Sequence, residues 1–455
     1  MSRLIPAVFA LIAGIASVPG RPAVAQPAPA QKSKLAIEKF TLANGLEVAV
    51  HPFDTAPVVT VQVWYHAGSR DDPRDRRGLA HLFEYMMGKG STRVRPDGHG
   101  QMITNLGGNV GAVAEEDSTQ FSDTLPAEHL DFALRLEAER MRHLLIRPEV
   151  LDEAKVFAKD KLRREDSLLS RGFQKTLEVA FTKHAYAWQR TGLAKEIDAI
   201  KLEDARQFYD TYYQPNNALL VVVGKVTVEQ VKASAEKWFG SIAKAPAPPR
   251  PSQAAPEPPQ TQKRREVLEG LGAYGLTLVG FRIPAAKDPD IYALQLSSII
   301  LGIGDSSRLK TRLRAEDPKV GKGPLAAETI TEAIIREEPG LLVTLGVYGS
   351  AAAADPVEAA MLDEIGKLAA KGPGADELAR AKSHARASFA FASESSQKFA
   401  QLIGHSWVLV GDASAFVRDI DEIEKVSAAD IQRVVKKYLS PENMSVVVLP
   451  PRGKS

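Results

Sequence analysis

Hydrophobic and polar positions change period several times along this chain. LEVAVHP (46–52) and VVTVQVWYHAGS (58–69) alternate apolar with polar residues, the rhythm of a strand with one covered face. Asn44-Gly45 supplies turn chemistry between TLA and LEV. HLDFALRLEAERMRHLLI (129–146) and EVLDEAKVFAKDKLRRED (149–166) place apolar residues every three to four positions and fill the rest with charge, which predicts amphipathic helices. LEDARQFYDTYYQPNNALLVVVG (202–224) passes from helical period through a Pro-Asn turn into a β-branched strand, and SAADIQRVVKKYLSPENMSVVVLP (427–450) does the same. A shift of 226 aligns Asp204 with Asp430, Tyr212 with Tyr438, Pro215 with Pro441 and Asn217 with Asn443. That order of elements predicts a duplication, with a period far too long for a solenoid.

Between the copies lies APAPPRPSQAAPEPPQTQ (245–262), with seven prolines in eighteen positions. It reads as an extended, semi-rigid linker. The expected organisation is a first domain over 35–244, the linker over 245–262 and a homologous second domain over 263–451. Hairpins and long helices in each half predict the α+β class, each domain a mostly antiparallel sheet packed with helices.

Composition narrows the function. At 44% apolar and 25% charged residues the chain is globular in type. A formal net charge of +2 without a long basic run gives no footprint for nucleic acid. The absence of cysteine excludes disulfides, thiolate metal sites and a cysteine nucleophile. Arg3, the apolar run Leu4–Val18 and Ala23-Val24-Ala25 before Gln26 outline a cleaved secretory signal over 1–25. The expectation is a periplasmic or secreted protein with no integral membrane segment after signal removal.

The chemistry centres on GLAHLFEYMM (78–87). On a helix His81, Glu84 and Tyr85 share one face. A catalytic zinc takes three protein ligands and keeps a position for water, with a carboxylate nearby to accept the water's proton. His-x-x-Glu-His is a known inverted form of that arrangement. Here Tyr85 stands in the second histidine's place. No P-loop or GxSxG elbow offers another enzyme class. GIGDSSR (302–308) lacks the phosphate-loop lysine and reads as a helix entry capped by Asp305 or Ser306.

YHAGSRDDPRDRRGLAHLFEYMMGKGST (65–92) resembles the inverzincin peptidases of the pitrilysin and insulinase type, in size the mitochondrial processing peptidase group and its bacterial relatives. GGNVGAVAEEDSTQF (107–121), LEAERM (136–141), YYQPNNALLVVVG (212–224) and SSRLKTRLR (306–314) extend the resemblance over nearly the whole chain after the signal. It implies a clamshell of two homologous domains. It implies His81 as a ligand and Glu84 as general base, with ligands replaced at Tyr85 and at Lys161, the position 76 residues beyond Tyr85 where the family has a glutamate. Glu153 and Glu165 lie near Lys161 in sequence but are not aligned with it. The resemblance also implies a substrate-binding edge strand, where Gly111-Ala112 stand in place of an asparagine-alanine pair. It implies an arginine-tyrosine pair in the second half, matched by Arg314 but with Gly321 at the tyrosine position.

A phenol titrates near pH ~10 and ligates poorly at neutrality. An ammonium has no lone pair and repels a dication. Lys161 also falls on the otherwise apolar stripe of Val150, Ala154, Phe157 and Ala158, so it needs an anionic partner. Glu84 is expected to be that partner, with Tyr85 hydrogen-bonding beside the pair. No cofactor is expected, or zinc if the family activity survives. Three readings follow: a non-catalytic subunit paired with an active homologue around peptide or unfolded protein, an active zinc endopeptidase with altered ligands, or a stand-alone periplasmic peptide-binding scaffold.

Overall fold

A computed structural model of the chain describes residues 36–452 apart from 55, 251–256, 271 and 318–320. The signal expected over 1–25 lies outside the described residues. Among those described, no helix is long and apolar enough to cross a membrane.

The first half builds a six-stranded sheet from β1 (Glu38–Thr41), β2 (Glu47–Pro52), β3 (Val58–Tyr65), β4 (Asn109–Ala114), β5 (Thr119–Pro126) and β6 (Ala218–Gly224). Its order is β1-β2-β6-β3-β5-β4, all antiparallel except β2 with β6. Gly45 turns the chain between β1 and β2 at φ +89°, a conformation that favours glycine. The second half builds β7 (Arg264–Val267), β8 (Gly275–Ile283), β11 (Glu328–Ile334), β12 (Gly340–Tyr348) and β13 (Met444–Leu449) into the order β11-β12-β8-β13-β7. Here too one pair is parallel, β7 with β13. A short ribbon, β9 (Glu316–Asp317) with β10 (Gly321–Pro324), stands apart. Strand by strand the second sheet repeats the first, without a counterpart of β1.

The duplication extends to single hydrogen bonds. Helix Leu202–Tyr212 corresponds to helix Ala428–Tyr438. Asn217 donates to the Tyr212 carbonyl at 2.8 Å and to the His66 carbonyl at 3.2 Å, while Asn443 donates to those of Tyr438 at 2.6 Å and Arg282 at 2.8 Å. Asp204 and Asp430 each cap their helix by accepting from the residue three positions earlier.

Five helices of the first half matter below: α1 (Leu79–Met86), α2 (Gly98–Asn105), α3 (Leu130–His143), α4 (Pro148–Glu165) and α5 (Leu168–Ala180). Helix α4 starts on Pro148, suited to a first helical turn that lacks N–H partners.

Each half lends a helix to the other. Helix Ser396–Val410 packs Phe399, Ile403 and Trp407 against Trp64, Leu219, Val221 and Val223 on the first sheet. Helix α5 packs Leu177 and Ala180 against Leu276, Leu278 and Val447 on the second. This exchange explains why β6 and β13 are continuous apolar runs: Leu220 and Val222 face their own half's core, while Leu219 and Val221 face the borrowed helix.

The linker is held at both described ends. Arg250 donates to the His66 carbonyl at 2.6 Å and to Asn217 Oδ1 at 2.7 Å. Glu257 accepts the backbone N–H groups of Thr182, Lys183 and His184 at 2.7–2.9 Å. Helix Arg308–Arg314 is capped at Ser307, not at Asp305 or Ser306 as the sequence reading expected, and by backbone geometry alone. The Asp305 carboxylate is instead drawn to Lys310 and Arg314, at 3.2 and 3.1 Å.

Candidate functional site

Helix α1 is buried through Leu79, Ala80, Leu82, Phe83 and Met86. Its other face presents His81, Glu84 and Tyr85 toward α4. Asp72 sets its entry, accepting from the Gly78 N–H at 2.6 Å and the Ala80 N–H at 2.9 Å. Sequence reasoning passed over this residue, because the cap reaches back six and eight positions instead of two or three. Burial pushes the Asp72 carboxyl up to about 8 against the pull of those two donors. A raised carboxyl stabilises the fold fully below its ordinary value of ~4, and this contribution is lost as pH climbs toward 8. Asp72→Asn is expected to flatten that part of the pH–stability profile in denaturant titrations. Asp72→Ala is expected to cost about 2 kcal/mol through the orphaned N–H groups.

Lys161 Nζ donates to Glu84 Oε1 at 3.1 Å and Oε2 at 3.4 Å. The ammonium thus sits on the carboxylate that the family uses as a base. Glu84 also accepts the Ala114 N–H, at the end of β4, at 3.4 Å. Burial works to raise the Glu84 carboxyl, but His81 and Lys161 outweigh it and bring it below the usual carboxylate range. That is the wrong direction for a general base, which works best near ambient pH.

His81 is buried at 2% exposure. Its Nδ1 lies 2.9 Å from Glu84 Oε2, close enough to pair with that carboxylate. Tyr85 does not bond beside Lys161 as expected. Its hydroxyl donates to Glu153 Oε2 at 3.2 Å, its ring stacks on Phe157 at 4.9 Å, and Lys89 Nζ lies 4.2 Å over its face. The donor set therefore does not fit zinc: one imidazole, one phenol already engaged, and one ammonium in the third ligand's place.

A second group, His99, Asp123 and Glu137, brings potential ligand atoms within 4.8 Å of one another. It is a closed polar network. His99 Nε2 lies 2.9 Å from Asp123 Oδ2, and Arg140 Nε donates to Glu137 at 2.7 Å. Burial pushes Glu137 up to about 8. The Arg140 guanidinium already supplies the positive charge that a metal would bring.

Gly111 and Ala112 lie on β4, whose outer edge is free in the sheet order. Val110 and Val113 beside them are 46% and 43% exposed. Beyond Ala114 the chain enters a cavity of about 780 Å³ between the halves, lined by Leu162, Phe173 and Trp188 from the first and Glu332, Ile334 and Val408 from the second. Arg314 is half-exposed and pairs with Asp305 within its own half. It makes no ion pair with the α1 groups. Gly321 opens β10.

Known proteins share this architecture. The description "Insulinase (Peptidase family M16)" matches residues 48–197, and "Peptidase M16 inactive domain" matches 199–384. The zinc protease PqqE of Helicobacter pylori is 27% identical over 91% of this chain and 93% of its own. A probable mitochondrial-processing peptidase subunit beta of Arabidopsis thaliana is 25% identical over 90% of this chain and 78% of its own. The crystal structure of a Helicobacter pylori protease superposes at TM-score 0.85 with 24% identity, over 91% of this chain and all of that one. On the two matched regions and this shared fold, the chain belongs to the insulinase-type M16 peptidase family.

Proposed function

We propose that this chain is a non-catalytic, peptide-holding subunit of the M16 type, exported to the periplasm, where it pairs with an active homologue. The observation that carries the reading is the Lys161 ammonium on Glu84, 3.1 Å away. Export rests on the leader pattern over 1–25. Holding rests on β4, which offers backbone groups to an extended peptide whatever its sequence.

Because the Ala114 N–H points away from β5 to Glu84, period two turns the Ala112 N–H outward as well. Ala112→Pro removes that donor and blocks strand addition, while an edge strand tolerates the proline. The purified chain is expected to bind an unfolded polypeptide without cutting it, and Ala112→Pro to weaken binding at least about tenfold. Unchanged binding in Ala112→Pro would refute strand addition. Hydrolysis by the chain alone, abolished in Glu84→Gln, would refute the non-catalytic reading. Co-elution with a homologue carrying intact His-x-x-Glu-His separates a paired subunit from a stand-alone scaffold.

A further inference from the structure

Beyond Ala114 the chain runs along the cavity of about 780 Å³ between the halves, where Glu115 and Glu116 line it. A cavity of this size suits a small molecule or the end of a chain. Its apolar wall is Leu162, Phe173, Trp188, Ile334 and Val408. Arg336 lines it too, from the charged tip Arg336-Glu337-Glu338 between β11 and β12, which meets His66 and Arg70 through Glu337.

Six cationic side chains line the cavity, and five of them already have a carboxylate. Lys159 pairs with Asp198 at 2.6 Å, Arg163 with Asp160 at 2.9 Å, Arg171 with Asp166 at 2.5 Å and Lys175 with Glu178 at 2.7 Å, while Arg336 bonds Glu116. The sixth is Arg190, which makes no hydrogen bond or ion pair among the described residues. It stands near enough to Glu116 to help draw that carboxyl down, but Arg336 already holds the carboxylate. A guanidinium whose fork of donors is unused is suited to gripping a carboxylate by two parallel bonds. The acidic residues of the wall limit the charge of what enters. Glu115, Glu165 and Glu332 line the cavity without an ion pair among the described residues, and burial raises the Glu332 carboxyl. A phosphate or nucleotide would set further negative charges against them, whereas one carboxylate on an apolar body meets Arg190 alone.

We propose that the cavity takes the carboxyl end of a peptide: Arg190 grips the terminal carboxylate, and Phe173, Trp188 and Val408 receive an apolar last side chain. The proposal rests on the peptide-holding reading and gives it a direction. A segment paired parallel to β4 has its carboxyl end beyond Ala114, where Glu115 and Glu116 line the cavity.

The test titrates two probes calorimetrically into the purified chain at about pH 7.5, where a carboxylate is ionised. The probes are N-acetyl-alanyl-phenylalanine and the same dipeptide as its C-terminal amide. The acid is expected to bind about tenfold tighter than the amide. Arg190→Gln is expected to abolish that preference and leave amide binding unchanged. Arg190→Lys, which keeps the charge without the fork, is expected to keep only part of it, and tests the proposal should Arg190→Gln not fold. Equal binding of acid and amide by the parent chain, or an undiminished preference in either variant, would overturn the proposal. A dipeptide needs no added strand, so Ala112→Pro is expected to keep the preference. Unchanged polypeptide binding in Ala112→Pro beside an intact preference would refute strand addition and spare the cavity. Weakened polypeptide binding there beside an absent preference would do the reverse.

Discussion

Tyr85→His with Lys161→Glu is expected to turn this chain into a zinc protein. The parent offers one imidazole on a rigid helix. The first substitution adds a ligand one residue beyond Glu84, on the same face as His81. The second removes the ammonium that now lies on Glu84 and places a carboxylate on α4, across from α1. Outer-shell partners alone change metal affinity about 10–100-fold, and a ligand matters more, so the pair should raise affinity roughly 10³-fold or more. Neither change suffices alone. Tyr85→His keeps a cation in the ligand sphere. Lys161→Glu leaves two carboxylates facing each other with one histidine, and like charges there disfavour joint ionisation. Calorimetric titration with zinc checks all three. Tight binding by either single variant would show that one of these two side chains alone blocks the site.

Gly404→Val is expected to uncouple the halves. A Cβ on Gly404 would lie 2.0 Å from Trp64 Cε2, a ring that is 1% exposed inside the first sheet. Nothing there can move at low cost: Trp64 donates to Gln62 at 2.9 Å, and Gln62 in turn donates to the Gln397 carbonyl. Overpacking a close-packed core usually costs about 1–3 kcal/mol, and this site stands at or above the upper end. Scanning calorimetry should show one transition splitting into two, as the helix Ser396–Val410 withdraws. Trp64→Leu in the same chain should recover part of the loss, since the two positions share one contact. A single, unshifted transition in Gly404→Val would contradict the tight reciprocal packing.

What the sequence disclosed and withheld follows from the range of each signal. The 226-residue shift was legible because Pro441 and Asn443 repeat the local turn chemistry of Pro215 and Asn217. The Lys161–Glu84 pair was legible because a lysine on an apolar stripe needs a carboxylate, and the motif named one. The partner of Tyr85 was not, since Glu153 meets it only through the stacking on Phe157. Amphipathic period predicts that α5 and helix Ser396–Val410 each bury a face, but not that each buries it against the other half's sheet. The tip Arg336-Glu337-Glu338 reads as an ordinary charged turn. Only the fold brings His66 and Arg70 to it, Arg70 and Glu337 being 267 positions apart in sequence. Arg314 matched its motif position, yet its carboxylate partner is local.

The most direct test of a displaced metal site is the zinc content of the purified chain lacking residues 1–25, measured by plasma mass spectrometry after dialysis against free zinc at low concentration. The geometry around Lys161 predicts zinc far below one equivalent, unchanged in His81→Ala. One retained zinc per chain, lost in His81→Ala, would contradict it and restore this helix as a working metal site.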